Sequence, residues 1–195
     1  MKYLGIIVLF FSSLGIFAQA DEEMYSIGFE FNPGIYKSFY EFKTNNPSYS
    51  EGLQMRGEDL FIYNDSLKKY LPLNPEAVWG YSTGSGVYIS AEGDFSRLNM
   101  IGSYSQFSAY VIVQTFAYDP YGFQIPRETR TLVQLLLNFD NGKVFEFNQK
   151  NVELLLQKDP QLWNEYQKFR GRKQEKQFIF LRKYNERYPI YFPVY

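Results

Sequence analysis

No cysteine occurs anywhere in this chain, so no disulfide can hold its fold and burial alone must do so. The 195 residues suffice: domains of roughly 150 residues already bury about 70% of the surface their unfolded chains expose. The apolar material is heavily aromatic, with 19 Phe, 18 Tyr and 2 Trp making up 20% of the chain. Each ring buries a large area, and every tyrosine hydroxyl taken inside needs a partner or water. No Gly/Ser-rich or Pro-rich linker divides the sequence, which predicts one domain.

Histidine is also absent. Cysteine and histidine nucleophiles, imidazole bases and thiolate or imidazole metal sites are thereby excluded, and no metal or cofactor is expected. The N-terminus carries an export signature. Lys2 precedes an apolar stretch from Leu4 to Phe17, and Ala18-Gln19-Ala20 offers small-x-small cleavage residues before acidic Asp21-Glu22-Glu23. The stretch is shorter than the ~20 residues of a spanning helix. No cysteine follows it to accept a lipid anchor. The expectation is a signal peptide over residues 1–20 and a mature protein, 21–195, in a periplasm or outside the cell, with no transmembrane segment.

Charge is unevenly distributed. Residues 21–149 hold 9 basic and 16 acidic side chains, a net of −7, whereas 150–195 hold 10 and 5, a net of +5. Such a basic tail could meet an anion, and Arg170, Arg172, Lys173 and Lys176 are its densest cluster. The alternative is a solvated helix junction, because Glu165, Glu175 and Glu186 interrupt the positive run. An exported, mildly acidic chain without a binding motif is not expected to bind nucleic acid.

Periodicity separates two regions. Ser26–Phe31 alternates weakly and predicts a strand, followed by a turn at Asn32-Pro33-Gly34. Ser38-Phe39-Tyr40-Glu41 has capping-box form and predicts a short helix from Phe39 to about Thr44. From Gln54 to Tyr118 short strand-like runs dominate: Leu60–Tyr63, Val78–Tyr81, Gly86–Ser90 and Leu98–Ser103. The longest run, Tyr110–Tyr118, predicts a central strand covered on both faces. Asn141-Gly142 predicts a type I′ hairpin within Thr131–Phe147, interior to its sheet, pairing Phe139 with Val144 and Leu137 with Glu146. After Asn148 the period becomes helical, with Val152, Leu155 and Leu156 on one stripe. Asp159-Pro160 starts a second helix carrying Leu162, Trp163, Tyr166 and Phe169. A third, from about Arg172 to Arg187, places Phe180, Leu181 and Tyr184 on one face. The apolar tail Ile190–Tyr195 should dock on its own core, or else on a partner. Strands first and helices last predict an α+β fold: a mainly antiparallel sheet over 21–149 with one short helix, then about three helices over 150–195.

Sites with chemistry are few. Trp79-Gly80-Tyr81-Ser82-Thr83 is the foremost candidate for binding a ligand. Its aromatics could stack on sugar rings while Ser82 and Thr83 bond hydroxyls; alternatively it is a hairpin with a buried tryptophan. A carboxylate pair for glycoside hydrolysis would come from Glu58/Asp59 and Glu92/Asp94, all beside turns. Ser66-Leu67-Lys68-Lys69 has Ser-x-x-Lys form without its accompanying motifs, and Asp140-Asn141-Gly142 is accounted for by its turn rather than by calcium.

Leu154-Leu155, Lys158-Asp159-Pro160, Phe180-Leu181-Arg182-Lys183-Tyr184-Asn185-Glu186-Arg187 and Pro189-Ile190-Tyr191 resemble small secreted proteins of Bacteroidetes-type bacteria. Gly34-Ile35-Tyr36 and Trp79-Gly80-Tyr81 are similar to parts of the same group. The resemblance implies an exported compartment and a shared fold, but no activity and no catalytic residues. The sequence thus points to a non-catalytic envelope or secreted module binding a glycan or envelope protein. The alternatives are a carboxylate hydrolase acting on glycans and a structural protein self-associating through its tail. Mass spectrometry of the protein recovered after export should find Asp21 as its first residue; retention of Met1 would refute cleavage after Ala20.

Overall fold

Period-two patterning builds most of the molecule, and each face of the resulting sheet is covered by something different. The computed structural model describes residues 21–57 and 59–194, with Lys173 and Gln174 as backbone alone; the expected signal peptide and Glu58 lie outside the described residues. In chain order the elements are β1 (Asp21–Met24), β2 (Gly34–Tyr36), α1 (Phe39–Lys43), β3 (Leu53–Arg56), β4 (Asp59–Asn64), β5 (Lys69–Pro72), a 3-10 turn at Pro75–Ala77, β6 (Gly80–Ser82), β7 (Val87–Ala91), β8 (Asp94–Met100), β9 (Tyr104–Tyr118), β10 (Gln124–Asn138), β11 (Val144–Glu146), α2 (Gln149–Leu156), α3 (Pro160–Lys168), α4 (Lys173–Arg187) and β12 (Tyr191–Val194). The fold is α+β. Seven antiparallel strands run in the order β11-β10-β9-β8-β7-β6-β2, beside a three-stranded meander β3-β4-β5 and a pair β1-β12.

Alternation sends neighbouring side chains to opposite faces. Tyr36, Val87, Ile89, Leu98, Phe107 and Leu137 pack on one face against Phe42 of α1 and a group of rings brought by irregular chain and by the tail. Their neighbours Ile35, Tyr88 and Leu136 point the other way. There Leu136 and Tyr104 meet α2, α3 and α4 through Val152, Leu156, Tyr166, Phe180 and Leu181. Ile35 and Tyr81 instead meet Leu60 of the meander.

Helix ends follow the capping rules. Ser38, Asn148 and Asp159 each accept backbone N–H groups at the starts of α1, α2 and α3, and Pro160 occupies the first turn of α3. Only half of the predicted capping box forms. Glu41 does not return to the Ser38 N–H; its carboxylate accepts the Lys37 N–H at 2.8 Å and the Ser48 hydroxyl at 2.8 Å. Phe169 falls just past α3 and stays 38% exposed, outside the predicted stripe.

Three further expectations are corrected. Ser26–Phe31 is not a strand: Gly28 takes φ 97° and the Phe29 N–H turns back to the Ser26 carbonyl at 3.0 Å. This bend drops both Phe29 and Phe31 into the core. The N-terminal strand is Asp21–Met24, whose partner is the tail: β1 pairs with β12 from Asp21↔Val194 to Met24↔Tyr191. The Asn141-Gly142 hairpin has a different register, with Leu137 opposite Val144. Gly142 alone of the two has positive φ, 72°, so the turn is not type I′. The Asn138 N–H donates to the Lys143 carbonyl across a longer loop. That loop frees Phe139 to enter the core beside Phe42 and Phe192. The hairpin also ends the sheet, because β11 is its edge strand.

Phe192 is fully buried, with ring centroids of Phe29, Phe31, Phe42 and Phe139 at 5.1, 5.2, 5.6 and 5.2 Å. Phe192→Ala should therefore cost about 3–5 kcal/mol in denaturant unfolding, while Tyr191→Ala, on the outward face of β12, should change little. Burial also lifts the phenols of Tyr81, Tyr166 and Tyr184 to about 12, and that of Tyr36 further. The folded state thus holds these protons more tightly than the unfolded chain, whose tyrosines titrate near 10. Their contribution is complete below pH 10 and lost as pH rises towards 12, so an alkaline titration followed by ultraviolet absorbance should show a late tyrosine phase coinciding with unfolding.

Candidate functional site

The longest strands outrun the sheet they belong to. β9 and β10 pair continuously from Tyr104↔Asn138 to Tyr118↔Gln124. Neighbours support only the inner end: β8 pairs with β9 at Phe107 and Gln106, and β11 pairs with β10 at Leu135 to Leu137. From Tyr110↔Leu132 outwards the ribbon has two strands only, and its nine rungs make an arm roughly 30 Å long. The tip is closed by hydrogen bonds of its own turn. Asp119 Oδ1 accepts the N–H groups of Tyr121 and Phe123 at 2.9 and 2.8 Å, and Gly122 supplies φ 85°.

The β9 strand of the arm carries apolar side chains on both faces. Tyr110, Ile112, Phe116 and Tyr118 alternate along one side of β9, with Val111 and Val113 on the other, the latter face joined by Ile125 of β10. Ile112 is 60% exposed, Phe116 65%, Tyr118 70%, Tyr121 86% and Phe123 70%. Tyr110–Tyr118 is thus not the covered central strand that its composition predicts. The available signal lay in the pairing partner. The rungs opposite are Pro126, Arg127, Glu128 and Arg130, which a sheet interior would not admit. Contacts within the arm are modest: the Thr115 hydroxyl donates to the Arg127 carbonyl at 3.0 Å, and the Arg130 guanidinium lies 4.6 Å over the Tyr110 ring while pairing with Asp94.

The proposed ligand platform is dispersed. Trp79 is half-buried and stacks on Phe42, centroids 4.7 Å apart. Tyr81 is buried on the opposite face, stacked on Tyr88 at 4.7 Å. Two positions apart in a regular strand they would share a face; here the Tyr36 carbonyl accepts the Trp79 N–H although Tyr36 pairs with Gly80, which breaks the alternation. Ser82 is buried, its hydroxyl oxygen accepting the Gly84 N–H at 2.9 Å, and Thr83 alone is exposed. No joint aromatic face is left for a sugar.

The basic residues are likewise not convergent. Arg170 is exposed beyond α3, Arg172 pairs with Glu175 at 3.7 Å, and the Lys176 ammonium sits 3.7 Å over the Tyr166 ring; the Lys173 side chain lies outside the described residues. Glu165–Lys183 and Asp159–Arg187 pairs further consume the positive charge of this segment within the segment itself.

Of the candidate acids, Glu92 occupies a turn at φ 49°. Asp59 and Asp94 line one cleft of about 550 Å³ between the meander and the root of the arm. Asp94 is half-exposed and held by Arg130, the reverse of the desolvated, cation-free setting a general acid needs. Ser66, Leu67 and Lys68 lie in the turn between β4 and β5, with Lys68 at φ 50°, and Lys69 opens β5. Among the described residues no group of three or more acids could hold a metal ion. A second cleft of about 610 Å³ opens between the N-terminal segment and α4, lined by Met24, Tyr25, Met100, Ile101, Arg182 and Asn185.

The chain matches no protein-family model, no curated protein and no solved structure.

The most connected carboxylate is structural. Asp159 accepts the N–H groups of Leu162 and Gln161 at 3.1 and 3.0 Å and the Tyr188 hydroxyl at 3.1 Å, and pairs with Arg187 at 3.1 Å. The Leu162 amide above all, then Tyr188 and Arg187, pull its pKa below the ordinary aspartate value against the effect of burial. A depressed folded pKa contributes stability above the unfolded value and loses it as pH falls through the folded one. Asp159→Asn should therefore be less stable than the parent at neutral pH, and the gap should close on acidification in denaturant titrations.

Proposed function

We propose that this chain is an exported, non-catalytic interaction module that engages a macromolecular partner through the β9–β10 arm. The observation that carries this is the contrast in aromatic use. Most rings elsewhere pack into three clusters, whereas Phe116, Tyr118, Tyr121 and Phe123 stand together in water at the end of a ribbon whose link to the rest of the fold beyond its root is the Arg130–Asp94 pair. Contiguous exposed apolar surface of this kind marks interaction sites. Two-stranded ribbons are also marginal alone, and gain stability from a third strand or a packed face.

A protein fits this surface better than a glycan. The arm offers apolar side chains and open backbone edges, whereas sugar recognition needs a ring platform beside fixed hydrogen-bond groups. The tail is not a free docking element, because Phe192 and Ile190 are buried and β12 is paired with β1.

A photoreactive phenylalanine analogue at Phe116, compared with the same analogue at exposed Tyr40 on α1, tests the proposal in producing cells. Discrete crosslinked species at position 116 and none at position 40 are expected. Equal or absent crosslinking at both would overturn the role of the arm.

A further inference from the structure

The two long edges of the arm are chemically unlike. The Asp119 N–H donates to the Phe123 carbonyl at 2.9 Å. Antiparallel alternation then directs the backbone groups of odd-numbered β9 residues towards β10, and those of Tyr110, Ile112, Gln114, Phe116 and Tyr118 to the open side. At the root, the Phe147 N–H reaches the Gln134 carbonyl, so even-numbered β10 residues likewise face outwards. Pro126 is one of these, and it has no N–H to offer at that edge. Arg127, Glu128 and Arg130 add charge along the same strand. Proline and charge are the devices by which proteins block strand addition. The β9 edge has neither: Tyr110–Tyr118 contains no charged residue, no proline and no glycine.

We infer that the open edge of β9 pairs with the same edge of a second copy of this chain, antiparallel about a two-fold axis, making a four-stranded sheet from two arms. This rests on the arm being the interaction surface and names its partner. A two-fold centre at Gln114 gives the longest overlap. It sets Ile112 opposite Phe116 of the other copy and Tyr110 opposite Tyr118, aromatic and aliphatic pairs of the kind that stabilise sheets. Side chains along this edge bring no like charges together. Pairing through β10 would set Glu128 against Glu128 and put Pro126 where a donor is required. A foreign strand could add to the β9 edge as well, but the uncharged, self-matching run makes a second copy the favoured occupant.

Sedimentation velocity over a concentration series tests this on the whole protein. The parent should show a monomer–dimer equilibrium. Gln114→Lys should weaken it about tenfold or more by opposing two ammonium groups, whereas Glu128→Lys, at the same height on β10, should leave it intact. Mixing Gln114→Lys with Gln114→Glu chains should restore dimers, which a misfolded arm could not do. A monomeric parent, or equal loss in the Gln114→Lys and Glu128→Lys variants, overturns self-pairing. If crosslinks at position 116 then reach a different protein, the interaction-module proposal stands without it; if none form, both fall.

Discussion

One aromatic cluster holds the segment after β1, the last strand and the middle of the sheet together. Phe192 comes from the last strand and Phe29 and Phe31 from the first irregular segment, while Phe42 comes from α1 and Phe139 from the loop before β11. Their rings meet mostly edge to face, the geometry in which aromatic quadrupoles attract. In a chain without disulfides, this cluster couples elements distant in sequence. The ladder of β1 with β12 then follows, since the tail enters the core beside the N-terminal segment and the two backbones must satisfy each other.

The sheet's second face is divided between two covers, and the division explains the arm. Helices α2, α3 and α4 protect the end at β9–β11, and the meander protects the end at β2 and β6–β8. Neither reaches beyond the rungs near Ala109 and Val133. β8 and β11 stop pairing there as well. Apart from the Arg130–Asp94 pair, the outer half of β9 and β10 is thus left with mutual pairing alone, and its apolar side chains stay exposed.

Charge follows the same layering. Among the described residues, the ion pairs of the last 46 residues, Glu165–Lys183, Asp159–Arg187 and Arg172–Glu175, all close within the helical layer. Exposed pairs of this sort contribute little stability. Asp159 differs because it also caps α3 and holds the Tyr188 hydroxyl, fixing the angle at which α4 hands over to the tail.

Local chemistry was legible in the sequence wherever a short-range rule decides the outcome. Ser38, Asp159 and Pro160 start helices because an orphan N–H needs a nearby acceptor, and Val152, Leu155 and Leu156 share a stripe because the helix repeats every 3.6 residues. The strand-then-helix order that makes the fold α+β was equally open to reading. Tertiary structure alone decided which apolar runs are covered. Tyr110–Tyr118 has the composition of a buried strand, and nothing within it reports that its flanking strands end early. Trp79 and Tyr81 look like one platform until the irregularity at Gly80 sends them to opposite faces. The Asn141-Gly142 turn widened because burying Phe139 outweighs the preference of two turn residues. In each case the deciding contact joins residues far apart in sequence, and periodicity carries no information about such contacts.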